Sequence, residues 1–369
     1  MSAPGIEYLF VTSAVLVNLQ SQGVTARDAS ARLGSIVPTR ALTSLGYDAR
    51  TCSFAGGTEA AAALVRAARR VVLGEMFPTA EGFAPTVEHY RALLRMIPDA
   101  RERVIFSIAD DHFADSSFRD FYREALPHCL AVATVSETLA RAVSAMTQRP
   151  VVVAPEPYEG ARGTPQVFTA RAPRGPLGWL ARRVGLPQDL WRVRLLWFGY
   201  PMNVPPLMEM LPALDDLARR HPLLLTLVSR PFAELRQIVT PQRGGESSAL
   251  RVQFQEWQPE LMDAALAAHD VVLIPSEFRN PAKQAKSPNR LVAGLHAGRL
   301  VVAHPLQAYA PYADFAWIGE DLCAGIEWSI RHPREALERI ARGQAFIDQR
   351  HSPRVVARFW LDVFDRRNS

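Results

Sequence analysis

The chain has 369 residues, enough for two domains of ordinary size, and its 48% hydrophobic and 21% charged residues are those of a folded globular protein. No apolar run approaches the ~20 residues of a membrane helix, no basic stretch precedes a signal-type apolar core, and a net charge of +5 without a basic tract or stacking motif does not argue for nucleic acid. Three widely separated cysteines, Cys52, Cys129 and Cys323, form no CxxC pair, which argues against a zinc site and fits a reducing, cytoplasmic setting.

In chain order, Tyr8–Val17 reads as a strand and Asn18–Gly34 as a polar loop. A helix over Ser35–Leu45 follows, stopped by Gly46 in a left-handed cap. Ala49–Phe54 reads as the next strand. This βαβ opening puts Gly34 where the first helix begins, either as a plain tight turn or as a place where backbone approaches a ligand. Helix and strand then alternate: Thr58–Ala68, Val71–Leu73, Thr86–Met96, Val104–Ile108. Such alternation predicts a parallel sheet with helices on both faces and ligands beyond the carboxyl ends of its strands. Asp110, Asp111 and His112 stand at one such end, as substrate-facing groups or as a helix cap with a surface histidine. The Asp pair has no third ligand at useful spacing, so no metal is expected. A strand at Ala131–Thr134, a helix capped by Ser136 and a strand at Val151–Ala154 complete this half.

Glu159–Arg192, rich in Gly, Pro and Arg, interrupts the rhythm and reads as a linker with one short helix, Leu177–Val184. There Trp179, Leu180, Val184, Arg182 and Arg183 make a basic amphipathic patch, suited to packing on a domain or to an anionic membrane surface. The alternation then restarts. Leu195–Phe198 ends at Gly199, Pro205–Arg220 is a helix, and Leu223–Val228 has Arg230 just past its end. Leu250–Phe254 and Pro259–Ala268 follow, and helices Leu322–Arg331, Arg334–Ile347 and Pro353–Phe364 close the chain.

Between them lies the most informative stretch, His269–Pro305. Strand Val271–Ile274 leads through a Pro-, Asn- and Lys-rich loop into a helix that starts near Ser287–Asn289 and stops at Gly298, followed by strand Leu300–Ala303. Ser287 can cap the helix and Pro288 suits its first position. Free N–H groups there, with Lys283, Lys286, Asn289 and Arg290, favour a diphosphate. The same residues also suit a capped surface helix with solvated basic side chains.

The order of these features resembles the GT-B glycosyltransferases, in particular the retaining family-4 type. The resemblance is carried by ATVSETLARAV (131–143), LLWFG (195–199), VQFQEWQPELMDAALAAHDVVLIPSE (252–277), KSPNRLVAGLHAGRLVVAHP (286–305) and RHSPRVVARFWLDVF (350–364). It implies two Rossmann-like doubly wound α/β domains facing a cleft, with the C-terminal helix crossing back to the first. The expected division is an acceptor domain at 1–158 completed by 350–369, a linker at 159–192, and a donor domain at 193–349. It also implies a nucleotide-sugar donor, a glycan, lipid-linked or small-molecule acceptor, no metal or other cofactor, and a donor phosphate that helps take the acceptor proton. Carried over residue by residue, Ser287, Asn289 and Arg290 would hold the diphosphate with Lys286 and Lys283 alongside. Gly34 and Gly199 would be the glycines near the phosphates, and Arg230 would reach them from its strand end. His112, with Asp111, would sit near the reacting sugar, and Glu277 would meet the sugar or ribose.

The sequence also departs from that family. Ala293 stands where a ribose-binding Glu is usual, and Ala285 where its partner Glu would fall. Tyr200, Pro201, Met202 and Asn203 replace the usual Arg and Lys after the opening glycine. The expected activity is hexosyl transfer from a nucleotide sugar, in the cytoplasm or at the inner face of the membrane. The alternative is a GT-B-like partner or scaffold subunit without catalysis.

Overall fold

A computed structural model describes residues 6–19, 23–55, 59–78, 82–168, 192–239, 242–243 and 246–366. The expected helix Leu177–Val184 lies outside them. The described residues fall into two compact units. One is drawn from Met1–Glu159, Gln284–Asn289 and Asp348–Ser369, the other from Gly160–Lys283 and Arg290–Ile347.

In the first unit the strands are β1 (Tyr8–Thr12), β2 (Leu16–Leu19), β3 (Gly23–Ala26), β4 (Ala49–Ser53), β5 (Arg70–Leu73), β6 (Val104–Ile108), β7 (Ala131–Thr134) and β8 (Val151–Val153). Six of them form one parallel sheet in the order β4-β1-β5-β6-β7-β8. Successive side chains serve opposite faces. Leu9, Val11, Val71, Leu73, Val104 and Phe106 enter one core. Tyr8, Phe10, Val72 and Ile105 enter another, which the helix Pro353–Phe364 covers with Val356, Trp360 and Phe364. Phe364 stacks on Tyr8 at 4.2 Å between ring centroids, Trp360 meets Phe10 edge-on at 5.2 Å, and Arg70 Nε donates to the Phe364 carbonyl at 3.0 Å. The last helix is therefore part of the first unit's core, as the sequence resemblance implied.

The expected strand Tyr8–Val17 and loop Asn18–Gly34 are corrected. β1 ends at Thr12, whose hydroxyl accepts the Ala14 N–H at 3.1 Å and so turns the chain. β2 and β3 form an antiparallel hairpin in place of the loop. The helical path then begins at Ala29 and passes through a wider turn at Arg32–Ile36 before Val37–Ser44. Arg32 anchors this turn: its Nη1 donates to the Ala26 and Arg27 carbonyls at 3.0 and 2.9 Å, and its Nε donates to Glu159.

The second unit holds β9 (Val193–Phe198), β10 (Leu223–Ser229), β11 (Gln242–Arg243), β12 (Glu246–Ser247), β13 (Arg251–Glu256), β14 (Val271–Ile274), β15 (Leu300–Ala303) and β16 (Trp317–Ile318). Its six-stranded sheet is also parallel, in the order β13-β10-β9-β14-β15-β16. The buried Asp270 carboxylate fixes the start of β9, accepting Arg194 N at 2.9 Å, Arg194 Nη2 at 2.9 Å and Gln166 Nε2 at 2.9 Å. Among the described residues no helix is long and apolar enough to cross a membrane.

Both glycines expected to stop helices do so by the same device. Gly46 has φ +93° and Gly298 φ +73°. After the helix Asn289–His296, Gly298 N–H donates to Leu295 at 2.9 Å and Arg299 N–H to Gly294 at 3.0 Å. A Cβ on Gly298 would lie 2.6 Å from the Thr164 carbonyl oxygen, which is backbone and has little room to move. Gly298→Ala should therefore lower stability by roughly 1–3 kcal/mol, the sum of a left-handed alanine and a steric overlap. Urea denaturation at neutral pH measures it, and an unchanged midpoint would refute the close approach.

Candidate functional site

In each unit the sheet order reverses at one point, where connections on opposite faces diverge beyond the carboxyl ends of two neighbouring strands. Numbered by appearance in the chain, the second sheet runs 3-2-1-4-5-6 and reverses between β9 and β14. The first runs 2-1-3-4-5-6 and reverses between β1 and β5. These two places collect most of the polar side chains that could meet a ligand.

At the second unit's reversal, Gly199 follows β9 and Glu277 lies just past β14. Arg290, in the first turn of the helix Asn289–His296, points back to this edge, and its Nη1 donates to the Phe198 carbonyl at 3.4 Å. A Cβ on Gly199 would stand 3.5 Å from that same nitrogen. Arg230, past β10, lays its guanidinium 5.1 Å from the centre of the Tyr200 ring. The structure thus brings Gly199, Arg230 and Arg290 to adjacent strand ends. Glu277 holds its own loop instead: its Oε2 accepts Asn280 Nδ2 at 3.1 Å and its carbonyl accepts Asn280 N at 2.9 Å. The Asn280 carbonyl in turn accepts the N–H of half-buried Lys283 at 3.0 Å. His304, which the sequence reading passes over, ties the ends of β14 and β15 together, with Nδ1 2.8 Å from the Ser276 carbonyl oxygen.

Lys286, Ser287 and Asn289 pack with the first unit, although the sequence reading groups them with Arg290. Ala285 is buried in the first unit's core, and its carbonyl accepts Ser136 Oγ at 2.8 Å. Ser136 also caps its helix as expected, accepting Leu139 N at 3.2 Å. Ser287 accepts Asn289 N at 3.0 Å, a two-residue turn ahead of the helix that opens at Asn289 and not the expected cap with Pro288 in the first position, and it gives its own hydrogen to the Glu156 carboxyl.

At the first unit's reversal, the acid that matters is Glu75, two residues past β5. Its backbone is fixed because Gly74 N–H donates to Val11 at 2.8 Å and Tyr90 OH donates to the Gly74 carbonyl at 2.7 Å. The side chain is 3% exposed. Its Oε2 accepts the Ala109 N–H, while Oε1 has no hydrogen-bond partner and lies 3.8 Å from His112 Nε2. Glu75 and Glu156 line one cavity together with Ser30, Gly34, Ser107 and Trp360. Gly34 is therefore at a site but not as a tight turn. It lies inside the helical path without a positive φ, and a Cβ there would meet only Ser107 Oγ at 3.8 Å. His112 is packed between Phe83 and Phe118, with ring centroids 5.0 and 5.5 Å away. Asp111 spends Oδ1 on the Phe113 N–H at 3.1 Å, and Asp115 caps the next helix.

Sequence reasoning singles out Asp110–His112 and passes over Glu75 and Glu156. The available signal was modest: an acid two residues past a buried apolar strand, and an acid held between two prolines.

Burial disfavours ionisation of both carboxyls. Burial, then the charge of Asp110, raises Glu75 well above the usual carboxylate range. The same causes push Glu156 up to about 8. His351 donates Nδ1–H to the Glu156 carbonyl at 2.7 Å, and burial lowers it to about 4. The two titrations act in opposite directions. A raised acid favours folding fully below its unfolded pKa of about 4.3, and that contribution is lost as pH rises through the folded value. A depressed histidine favours folding above its unfolded pKa of about 6.5 and loses that as pH falls toward the folded value. Glu156→Gln removes only the first. Whatever constant offset the substitution brings, its stability relative to the parent should rise between pH 5 and pH 8, by on the order of 2–4 kcal/mol. Parallel urea titrations at the two pH values test this, and a pH-independent difference would refute the protonated Glu156.

No family model matches the chain, and no curated protein matches it in sequence. Solved structures match over nearly the whole length. HepE of Anabaena in complex with UDP and glucose is 13% identical with a TM-score of 0.62, covering 98% of this chain and 100% of that one. An alpha-glucosyltransferase in complex with UDP-glucose and DNA containing an abasic site is 10% identical at 0.63, covering 97% and 99%. A glycosyltransferase from Rickettsia africae is 10% identical at 0.59, covering 98% of each chain. With two parallel six-stranded sheets and a last helix returned to the first unit, this chain has the GT-B fold.

Proposed function

We propose that this protein is a glycosyltransferase that takes a sugar from a nucleoside-diphosphate donor at the β9/β14 reversal of its second unit and passes it to a hydroxyl-bearing acceptor. The observation that carries this reading is the convergence of Gly199, Arg290 and Arg230 at adjacent carboxyl ends of a sheet with the dinucleotide-binding strand order. A diphosphate is the leaving group of the reaction, and it gains negative charge as the glycosidic bond breaks. Two guanidiniums placed there stabilise that change where it develops. Lys283, in the same unit, supplies a further cation, and metal-independent transfer with retention of configuration is part of the proposal. The base is proposed to be uracil, because structures of the same fold were obtained with UDP or UDP-glucose.

A second reading has its own observation. The positions where ribose-binding acids are usual are Ala293 and Ala285, and Ala285 is core. A GT-B-like subunit that binds nucleotide without turnover, serving an active partner, fits those two alanines. Nucleotide binding with no donor hydrolysis and no transfer to any acceptor would select it.

UDP should raise the melting temperature of the full chain, with GDP, ADP and TDP giving smaller shifts. Arg290→Ala should weaken UDP binding by roughly tenfold to a hundredfold, the loss of a charge-assisted contact. Its melting temperature without nucleotide should stay close to the parent's, since the one bond lost to Phe198 is long. An undiminished UDP response in that variant would overturn the placement of the diphosphate.

A further inference from the structure

Glu75 and His112 form a pair that donor binding leaves unused. The Glu75 side chain is 3% exposed, and its Oε2 accepts the Ala109 N–H. Its Oε1 is buried with no hydrogen-bond partner, a state that costs roughly 1–3 kcal/mol. The basic side chain that approaches this oxygen is His112, with Nε2 3.8 Å away. A movement of under about 1 Å brings the two atoms to hydrogen-bond distance. The imidazole is held in that setting. Phe83 and Phe118 flank it with ring centroids at 5.0 and 5.5 Å, and its backbone carbonyl accepts the Asp115 N–H at 3.0 Å. The His112 side chain is still 35% exposed, and its Nδ1 has no hydrogen-bond partner among the described residues. One ring nitrogen thus faces a buried acid, and the other is left for something outside the fold.

We propose that Glu75 is a positioning residue that keeps a hydrogen on Nδ1 of His112, so that this histidine meets a ligand oxygen as a hydrogen-bond donor and not as a base. The argument is proton counting. When the pair holds two protons, either the acid is neutral and donates to Nε2, or it is ionised and accepts from an imidazolium. Nδ1 carries hydrogen in both arrangements. It becomes an acceptor only when the pair loses a proton. The surroundings delay that loss. Burial, then the charge of Asp110, raises Glu75, against the pull of the Ala109 and Asp110 N–H groups, and Glu156 adds to the rise. The nearby Tyr90 and Tyr122 hydroxyls are themselves raised by burial and bring no charge. A fixed donor stabilises a ligand oxygen that carries or gains negative charge. The bearing on mechanism rests on the proposed glycosyl transfer: in that reaction the proton of the acceptor hydroxyl leaves by a route other than His112.

The test is the nitrogen-15 chemical shift of each imidazole nitrogen, read through the ring protons of the full chain at about pH 8. A histidine with the ordinary pKa of about 6.5 is neutral there, and a free neutral ring prefers its hydrogen on Nε2. His112→Asn assigns the signal among the nine histidines. In the parent, Nδ1 of His112 should show the shift of a hydrogen-bearing nitrogen. In Glu75→Leu it should move to that of a bare nitrogen, with the hydrogen on Nε2. Glu75→Met, an unbranched apolar side chain, makes the same comparison if Glu75→Leu does not fold. Glu75→Gln can accept the Ala109 N–H with its oxygen and donate to Nε2 with its amide, so it should restore the parent pattern. A bare Nδ1 in the parent, or a hydrogen kept on Nδ1 in the apolar variant, would overturn the inference. The UDP melting shift is recorded on the same samples. If it is present while the imidazole result fails, only this inference falls. If it is absent while the imidazole result holds, the donor reading falls and the Glu75–His112 pair stands.

Discussion

Burial of both faces of both parallel sheets governs what this chain can place where. A strand covered on each side reads as an apolar run, as in Val71–Leu73 and Val271–Ile274, and leaves few positions for a polar side chain. Polar groups are therefore driven to the strand ends, and the helices returning across each face leave the carboxyl ends open where the order reverses. Glu75, Asp110 and His112 in the first unit, and Gly199, Arg230 and His304 in the second, all follow the last residue of a strand by one to four positions. Their placement follows from topology more than from any local motif.

The two reversals have opposite chemistry. In the second unit the strand ends carry guanidiniums: Arg290 is held against a backbone carbonyl and Arg230 against an aromatic ring. A guanidinium's planar fork of donors matches a phosphate or carboxylate, so that edge suits an anion. In the first unit the strand ends carry acids so well buried that the neutral form is favoured. A neutral carboxyl is both donor and acceptor, a match for hydroxyls and a poor one for ions. Similar sheets thus end in guanidiniums in one unit and buried acids in the other, through the residue types placed after the strands.

Much of the fold was legible in the sequence, and the reason is physical. Val104–Ile108, Ala131–Thr134, Val271–Ile274 and Leu300–Ala303 were bounded to the residue because they are doubly buried runs. Pro205–Arg220 and Pro353–Phe364 were bounded because a proline opens each, where its fixed φ and missing N–H cost nothing. Gly46 and Gly298 announced helix ends that only a left-handed residue makes cheaply. The hairpin Leu16–Ala26 was missed because its strands are four residues each and pair only with one another, outside the main sheet, so no buried run marks them. Gly34 misled for the related reason that a glycine beside a polar stretch looks the same in sequence whether it turns the chain or lies within a helix.

Site residues were legible in type but not in allegiance. Reading KSPNR as one anion-binding helix start assumes that adjacent residues serve the same ligand. Ala285 shows why that assumption fails here. Its methyl group is buried among apolar residues of the first unit, and its carbonyl is taken by the Ser136 hydroxyl. Once Ala285 is fixed there, Ser287 lies within reach of Glu156, and its single hydroxyl hydrogen goes to that acid. Arg290, three residues further on, is then the first basic side chain of the helix directed to the end of β9. An acid at position 285 would have to be buried in that apolar setting, and the alanine avoids a penalty that an unpaired carboxylate would incur. The departure from the glycosyltransferase pattern at this position is thereby explained by packing, and in the proposed function the diphosphate falls to Arg290 and Arg230.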